Sequence, residues 1–505
     1  MTSDYRLGCP KNACTLFLLC VATAIALPAQ TFKSMISFDG SNGVNPNAGL
    51  VQATNGLFYG ATFQGGANGG YQGTVFRMTR KGMLTSLHTF VGTDGSFPYA
   101  GLVQGTDGNF YGTTQDGGTN ANTNCSNGCG TVFKMTAGGT LTTLYNFCSQ
   151  TNCTDGAIPV AGLVQGTDGN FYGTTTAGGS GNNCANFQPR GCGTVFKITP
   201  QATLTTLHSF NFTDGYQPWG TLVQGTDGNF YGTTAEGVVS GTSCGFGCGT
   251  VFKMTAAGRL TTLHTFDFTD GAFPESGLVQ AADGNFYGTT SAGGANSCMI
   301  LGLNFGCGTV FKITADQTLT VLYNFCAQSG CTDGWGPHAA LVQATDGNFY
   351  GTTTYGEANS ACGTFGCGTV FNITAGATLA TLHTFDDTDG AEPSDALLQA
   401  TNGIFYGTTF GGGAFNAGTV FSLSVRLGPF VKTMPTSGKI GRKVEILGTD
   451  LTGATSVTFN GVAATFTVVQ ASEIKTTVPT GATTGKVQVV TPTGTLSSNV
   501  VFRVP

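Results

Sequence analysis

The sequence predicts an all-β fold, a seven-bladed β-propeller closed by its own N-terminal strand. Three observations predict it. A unit recurs seven times, with Phe-Tyr-Gly starting at Phe58, Phe110, Phe171, Phe230, Phe286, Phe349 and Phe405, and Gly-Thr-Val-Phe starting at Gly73, Gly130, Gly193, Gly249, Gly308, Gly368 and Gly418. Each unit holds four short β-prone runs separated by turn residues. The last run of the seventh unit is missing from its place, and an equivalent run stands at the N-terminus.

Composition agrees. The 505 residues include 80 Gly, 38 Phe and 14 Tyr, with charged residues at 9%. Glycine this abundant without a three-residue period is not collagen, and the aromatics exclude a disordered linker. The chain opens on a signal-peptide pattern, residues 1–29: Arg6 and Lys11, then the apolar run from Ala13 to Leu27, then a cleavage site near Ala29. An uncleaved anchor is the alternative; Cys20 lacks the small residue that precedes a lipidated cysteine. Removing residues 1–29 takes away Arg6, Lys11 and Asp4 and leaves 18 basic and 25 acidic residues, a net charge of −7. That balance argues against nucleic acid and anionic membranes as partners. No later segment is long and apolar enough to cross a bilayer as a helix.

The four runs are A (Leu-Val-Gln), B (Phe-Tyr-Gly-Thr-Thr), C (Thr-Val-Phe) and D (Leu-x-x-Leu-x-x-Phe). Asp-Gly between A and B suits a tight hairpin. B and C carry large apolar residues on both faces, as Phe110/Tyr111 and Val132/Phe133 do, which a blade stacked between two neighbours requires. Run D follows six of the seven C runs. Ser34-Met35-Ile36-Ser37-Phe38 supplies the seventh, and Asn42-Gly43-Val44-Asn45-Pro46 matches Asp94-Gly95-Ser96-Phe97-Pro98 after it.

Loop lengths separate two faces. A-to-B and C-to-D spacings are constant. B–C loops run from 11 residues (Gly407 to Gly418) to 20 (Gly173 to Gly193), and D–A links are 15 in two cases (Phe147 to Gly162, Phe325 to Ala340). In a meander blade the two variable connections share a face, and binding usually resides in such loops. Three cysteines precede residue 29. The other fourteen form seven close pairs on the variable face: Cys125/Cys129, Cys184/Cys192, Cys244/Cys248, Cys298/Cys307 and Cys362/Cys367 in B–C loops, Cys148/Cys153 and Cys326/Cys331 in the two long D–A links. They read as disulfide staples, each worth roughly 2 kcal/mol on a chain-entropy account. Zinc is the alternative, but most pairs have no nearby His.

The repeat stops near Arg426, giving a propeller over 30–426 and a separate module over 427–505. Pro435-Thr436-Ser437-Gly438, Val444-Glu445-Ile446-Leu447-Gly448-Thr449, Val457-Thr458-Phe459-Asn460-Gly461 and Ile474-Lys475-Thr476-Thr477-Val478-Pro479 resemble an IPT/TIG domain. That resemblance implies an immunoglobulin-like β-sandwich acting as a spacer or accessory domain. The repeats (Gly-Leu-Val-Gln, Asp-Gly-Asn-Phe-Tyr-Gly-Thr-Thr, Gly-Thr-Val-Phe) resemble the tandem GloVer repeats of secreted bacterial choice-of-anchor proteins, over residues 31–425. No activity comes with that resemblance. The Asp-Gly-Asn-Phe-Tyr-Gly-Thr stretch is also similar to sensor propellers of two-component regulators, but no kinase segment is present.

Candidate chemistry is sparse. Asp94, Asp155, Asp214, Asp270, Asp333 and Asp389 recur as Thr-Asp-Gly and read as turn formers, with calcium as the alternative. His88, His208, His264 and His383 share one D-run position with Tyr145, Tyr323 and Ile36, which reads as packing. No nucleophile elbow, zinc helix or phosphate loop is present. The positions that break the repeat are more informative. The residue after each link proline is Asn47, Tyr99, Val160, Trp219, Glu275, His338 or Ser394, at the expected mouth of the channel, with Tyr216, Trp335 and Glu392 nearby. Ordinary loop drift is the alternative. Tyr99, Tyr216, Trp219, Glu275, Trp335, His338 and Glu392 are the candidate ligand-binding residues. The sequence therefore predicts a secreted or cell-surface, monomeric, non-enzymatic binding or scaffold protein, needing no metal or cofactor, that recognises carbohydrate or a cell-surface partner. A polysaccharide hydrolase or lyase and a purely structural surface component are the alternatives.

Overall fold

Runs with apolar residues on both sides need cover on both sides, and the strands meet that need by stacking sheet on sheet. A computed structural model describes residues 30–505 apart from 68–70, 121–124, 182–183, 185–190, 239–243, 301 and 358–360. The signal-peptide reading of 1–29 lies outside the described residues. Strands dominate; helix among the described residues is confined to short 3-10 turns such as Thr151–Cys153 and Ser329–Cys331.

Each repeat forms a four-stranded antiparallel sheet in the order A-B-C-D, giving seven such sheets. In the second repeat the strands are Val103–Gln104, Phe110–Thr114, Thr131–Met135 and Leu141–Asn146. Strand B is buried throughout, C is buried except at Lys134, and D is largely half-buried, as an outer edge would be. The glycine of Phe-Tyr-Gly has a packing reason: a Cβ on Gly112 would lie 2.6 Å from the Phe133 ring and 2.8 Å from Leu102.

Three contacts join each sheet to the next. The tyrosine of one Phe-Tyr-Gly stacks on the phenylalanine of the following one: Tyr59 on Phe110, Tyr111 on Phe171, Tyr172 on Phe230, Tyr231 on Phe286, Tyr287 on Phe349 and Tyr350 on Phe405, then Tyr406 on Phe58, with centroids 3.9–4.4 Å apart. Such pairs add about 0.5–1.5 kcal/mol each beyond area burial. The strand-A glutamines repeat the circuit. The amides of Thr54, Thr106, Thr167, Thr226, Ala282 and Thr345 donate to Oε1 of Gln104, Gln165, Gln224, Gln280, Gln343 and Gln399, and the Thr401 amide donates to Gln52, all at 2.8–3.1 Å. Lastly, each link proline packs on the glycine of the preceding Gly-Thr-Val-Phe: a Cβ on Gly130 would lie 2.5 Å from Pro159 Cδ, and one on Gly418 2.5 Å from Pro46 Cδ.

Strand D of the seventh sheet is Thr31–Ser37, antiparallel to Thr419–Ser424. It copies the bulge seen in the other six sheets. Leu144 is the extra residue where Tyr145 pairs with Val132 and Thr143 with Phe133; Met35 is the extra residue where Ile36 pairs with Val420 and Ser34 with Phe421.

The strand-D histidines do more than pack, which corrects the sequence reading. His88, His208, His264 and His383 each place Nε2 2.7–2.9 Å from a carboxylate oxygen of Asp94, Asp214, Asp270 and Asp389. Tyr145 and Tyr323 donate their hydroxyls to Asp155 and Asp333 at 2.9 and 2.8 Å. The other carboxylate oxygen caps the turn, as Asp94 Oδ1 accepts the Val91 amide. Where the strand carries Ile36, which cannot hydrogen-bond, the aspartate is replaced by Asn42, which still accepts the Asp39 amide. Losing the partner and losing the charge go together.

The C-terminal module has two four-stranded sheets. One holds Lys432–Met434, Lys443–Leu447, Glu473–Thr477 and Phe466–Gln470; the other holds Val462–Ala463, Ser456–Phe459, Val487–Thr491 and Gly494–Ser497. Burial alternates along Val487–Thr491, and Val444, Ile446, Val457, Phe459, Ile474, Val487 and Val489 fill the space between the sheets. The module rests on the A–B turns of the first and seventh repeats. Ser472 Oγ donates to the Thr54 carbonyl at 2.7 Å, the Phe430 amide to the Thr401 carbonyl at 2.9 Å, and the Thr401 and Thr449 hydroxyls are 2.8 Å apart. Lys432 Nζ donates to the Gln399 carbonyl, and burial pushes its ammonium down to about 8.

Changing His88→Ile alone should cost about 1–2 kcal/mol by stripping Asp94 of its partner. The pair His88→Ile with Asp94→Asn, which copies Ile36 and Asn42, should recover more than half of that in urea denaturation. Additive losses would contradict the coupling.

Candidate functional site

The D–A link presents the repeat-breaking residues, and the geometry of its end, next to the proline, is the same in every repeat. The residue before the link proline is Asn45, Phe97, Ile158, Gln217, Phe273, Gly336 or Glu392, and each sits in the left-handed region at φ of 54–63°. That conformation costs a non-glycine residue about 1–2 kcal/mol. Backbone hydrogen bonds through both its amide and its carbonyl hold each in place. The Ile158 amide donates to the Cys129 carbonyl, Gln217 to Cys192, Phe273 to Cys248, Gly336 to Cys307 and Glu392 to Cys367; Asn45 and Phe97 use Ala417 and Gln72. The acceptor is the residue before Gly-Thr-Val-Phe, which is the second cysteine of each B–C pair.

All seven cysteine pairs are disulfides: Cys125–Cys129, Cys148–Cys153, Cys184–Cys192, Cys244–Cys248, Cys298–Cys307, Cys326–Cys331 and Cys362–Cys367. The Sγ atoms of Cys125, Cys129 and Cys148 lie within 4.8 Å of one another, so two staples of the second repeat pack together, and all three sulfurs are spent in disulfides rather than on zinc. Five disulfides thus anchor the carbonyl that seats a link. Two residues further on, each link delivers one side chain.

Those seven side chains meet. Asn47, Tyr99, Val160, Trp219, Glu275, His338 and Ser394 all line a single cavity of about 510 Å³, floored by the first residues of the A strands such as Leu102, Leu163 and Leu397. His338 Nδ1 lies 2.6 Å from Glu275 Oε2. Ser394 donates to Asn47 Oδ1 at 2.5 Å. Tyr99 and Trp219 meet edge to face with centroids 5.8 Å apart. Burial raises the Tyr99 hydroxyl, and the charges of Glu275 and Asp395 add to the shift. The Trp219 indole nitrogen is buried without a hydrogen-bond partner.

Of the seven predicted binding residues, Tyr99, Trp219, Glu275, His338 and Glu392 line the cavity. Tyr216 and Trp335 do not. Their backbones pair with Glu236 and Tyr355 at the start of the B–C loop, which turns the side chains into the disulfide layer. Tyr216 packs with Cys184, Cys192 and Phe210; Trp335 packs with Cys298 and Cys307 and lies 4.3 Å from the Tyr355 ring.

Three features escaped the sequence reading. Asp395 lines the cavity at a position where the other links carry Ala48, Ala100, Ala161, Gly220, Ser276 and Ala339. It accepts the Gly49 amide, and the Ala396 amide at 2.6 Å, yet burial pushes its carboxyl up to about 6. Thr354 lines the same cavity, 7% exposed, with a buried hydroxyl that has no partner. At the equivalent position Thr176 and Ser291 donate to the Ile158 and Phe273 carbonyls. Finally, Phe246, Phe305, Phe365 and Phe415 stand three residues before the Gly of Gly-Thr-Val-Phe in four consecutive repeats, each 37–65% exposed on a B–C loop. Aligning the repeats column by column finds Asp395 and the phenylalanines; Thr354 matches Thr176 in its column, so its unpaired hydroxyl shows only in the structure.

Fold and site together describe an all-β repeat protein with a cavity lined by its links and an immunoglobulin-like module at its C-terminus. The chain belongs to the Gloeobacter/Verrucomicrobia repeat family, whose model matches residues 21–187, 122–302 and 300–465; the IPT/TIG domain model matches residues 430–504. A comparison with curated proteins finds no match. Among solved structures, a fungal alcohol oxidase of the AA5 family in complex with copper is similar at 11% identity, with 95% of this chain and 99% of that chain covered and a TM-score of 0.49. The extracellular domain of a hybrid two-component system from Bacteroides thetaiotaomicron is similar at 10% identity, covering 91% and 54%, with a TM-score of 0.48. PorZ, a surface component of the type-IX secretion system of Porphyromonas gingivalis, is similar at 14% identity, covering 93% and 60%, with a TM-score of 0.44.

A folded carboxyl at about 6, against an ordinary 3.8, binds its proton more tightly than the unfolded chain does. Stability therefore falls as pH rises between those values and stays lower above them. Asp395→Ala installs the residue most links use. It should melt above the unchanged protein at pH 7, with the difference vanishing near the ordinary carboxylate pKa, in thermal denaturation across that range.

Proposed function

We propose that this chain is an exported, non-enzymatic binding or scaffold protein. Its repeats form a closed seven-bladed β-propeller, and its ligand, a saccharide of the extracellular matrix or cell surface, enters the central cavity on the disulfide-bearing face. Seven disulfides mark a protein that folds in an oxidising, exported compartment. Closure is supported by the circuits that return to their start, Tyr406 on Phe58 and Thr401 to Gln52, and by the N-terminal strand that finishes the seventh sheet.

One observation carries the functional reading. In an array whose core residues repeat almost without change, the side chains delivered to the cavity differ in all seven repeats. A structural position has no reason to vary where its surroundings are held constant; a site that must fit one ligand does. Aromatic walls beside polar side chains suit sugar rings, and the four exposed phenylalanines add apolar surface to the same face.

The second reading, a polysaccharide hydrolase or lyase, is favoured by the His338–Glu275 pair at 2.6 Å, a geometry suited to proton transfer. On the binding reading, a glycan array probed with the exported chain gives retained ligands, and Tyr99→Ala with Trp219→Ala weakens them about tenfold or more while the melting temperature holds. Turnover of a polysaccharide that is lost in His338→Ala would replace binding by catalysis.

A further inference from the structure

Carboxylates dominate the charge that lines the cavity, with His338 beside Glu275 as the one titratable base among the described lining residues. Glu275, Glu392 and Asp395 contribute carboxylates from the fifth and seventh repeats, and no lysine or arginine stands among the described lining residues. The repeat array around them carries 11 basic and 22 acidic residues, so its field reinforces theirs. Asp395 is the informative member. A carboxylate stands where six links place Ala, Gly or Ser, in a setting that opposes its charge, and the backbone amides of Gly49 and Ala396 only partly compensate. Natural chains keep such a destabilising group where it serves a ligand.

Two buried polar groups on cavity-lining residues lack a partner within the protein. The Thr354 hydroxyl is buried and unpaired although Thr176 and Ser291 satisfy theirs, and the Trp219 indole N–H is buried and unpaired. Tyr99 and Trp219 form an aromatic corner in the same cavity as the carboxylates, and such rings attract a cation by their quadrupole as the carboxylates do by charge.

Resting on the saccharide-binding reading above, we propose that the cavity is selective for an amino sugar, a hexose bearing a free, protonated amine. The ammonium would sit among Asp395, Glu275 and Glu392, with the sugar ring against Tyr99 and Trp219. The ring hydroxyls would exchange with the hydrogen bond that joins Ser394 to Asn47. A lysine side chain of a protein partner would satisfy the carboxylates but bring no ring face to Tyr99 and Trp219, which favours the sugar.

Isothermal titration of the full exported chain at neutral pH tests this with three probes: a β-1,4-linked glucosamine tetramer, its fully N-acetylated counterpart and tetralysine. The glucosamine tetramer is expected to bind about tenfold or more tightly than the other two. Glu275→Gln and Asp395→Asn are each expected to erase that preference while thermal unfolding stays cooperative. Equal binding of the N-acetylated tetramer, lost in Trp219→Ala, would overturn the amine selectivity and leave the saccharide site standing. Tightest binding of tetralysine would overturn the amino-sugar assignment in favour of a cationic peptide. No binding of any probe would overturn the amino-sugar assignment, and a blank glycan array beside it would remove the saccharide reading as well. The comparison of probes on the unchanged protein decides the matter even where a substitution fails to fold.

Discussion

The joint between neighbouring sheets is the contact on which everything else depends. A four-stranded sheet with apolar residues on both faces has no stable existence alone. Here each is completed by a tyrosine stacked on the next phenylalanine, a glutamine reaching the next hairpin's amide and a proline seated on a glycine without a side chain. Each joint is worth only a few kcal/mol on these terms. Repetition makes the sum large, and the closure proposed above would remove the frayed ends of an open array. The C-terminal module adds to this at one place only. Its hydrogen bonds to Thr54 and Thr401 fall on the first and seventh repeats, on hairpins that carry the glutamine circuit, so it braces the meeting of the two chain ends.

The same joint builds the site. The proline that packs on the glycine is the residue before the cavity side chain, and the left-handed residue before it hangs, in five of the seven links, from the carbonyl of a disulfide-bonded cysteine. Strain, staple and cavity residue are consecutive steps along a few residues. In five links the acceptor is a disulfide-bonded cysteine; Asn45 and Phe97 take the same conformation on Ala417 and Gln72, so the backbone bond seats the link and the disulfide braces the loop that supplies it. Variation is confined to the last step. The architecture permits the cavity to change without disturbing the joints.

Much of this was legible in the sequence because repetition supplies its own controls. The missing seventh D run located the pairing of Thr31–Ser37 with Thr419–Ser424, and the residue after each link proline located the cavity wall. What stayed hidden has physical reasons. Interchange of His with Tyr and Ile looked like packing because the hydrogen-bonding partner lies on a turn six to ten residues later; only the joint change to Ile36 and Asn42 exposes it. Tyr216 and Trp335 looked like cavity residues because they are aromatic and three positions from the wall. Which way such a side chain turns is set by its backbone bridge to Glu236 or Tyr355, which no composition argument sees. Asp395 was overlooked because acidic residues in loops are common; its meaning lies in the six small residues it replaces.

The central claim is that seven equivalent joints close into a ring, the seam between the seventh and first repeats being a joint like the others. Native-state hydrogen exchange read residue by residue tests it most directly. The amide of Thr401, which donates to Gln52 across the seam, is compared with those of Thr106, Thr167 and Thr226, which donate to Gln165, Gln224 and Gln280 within the array. A closed ring predicts protection at Thr401, and along Thr31–Ser37, within about tenfold of the internal joints. Exchange at the seam faster by orders of magnitude, with the internal joints still protected, would show an open array and contradict the account.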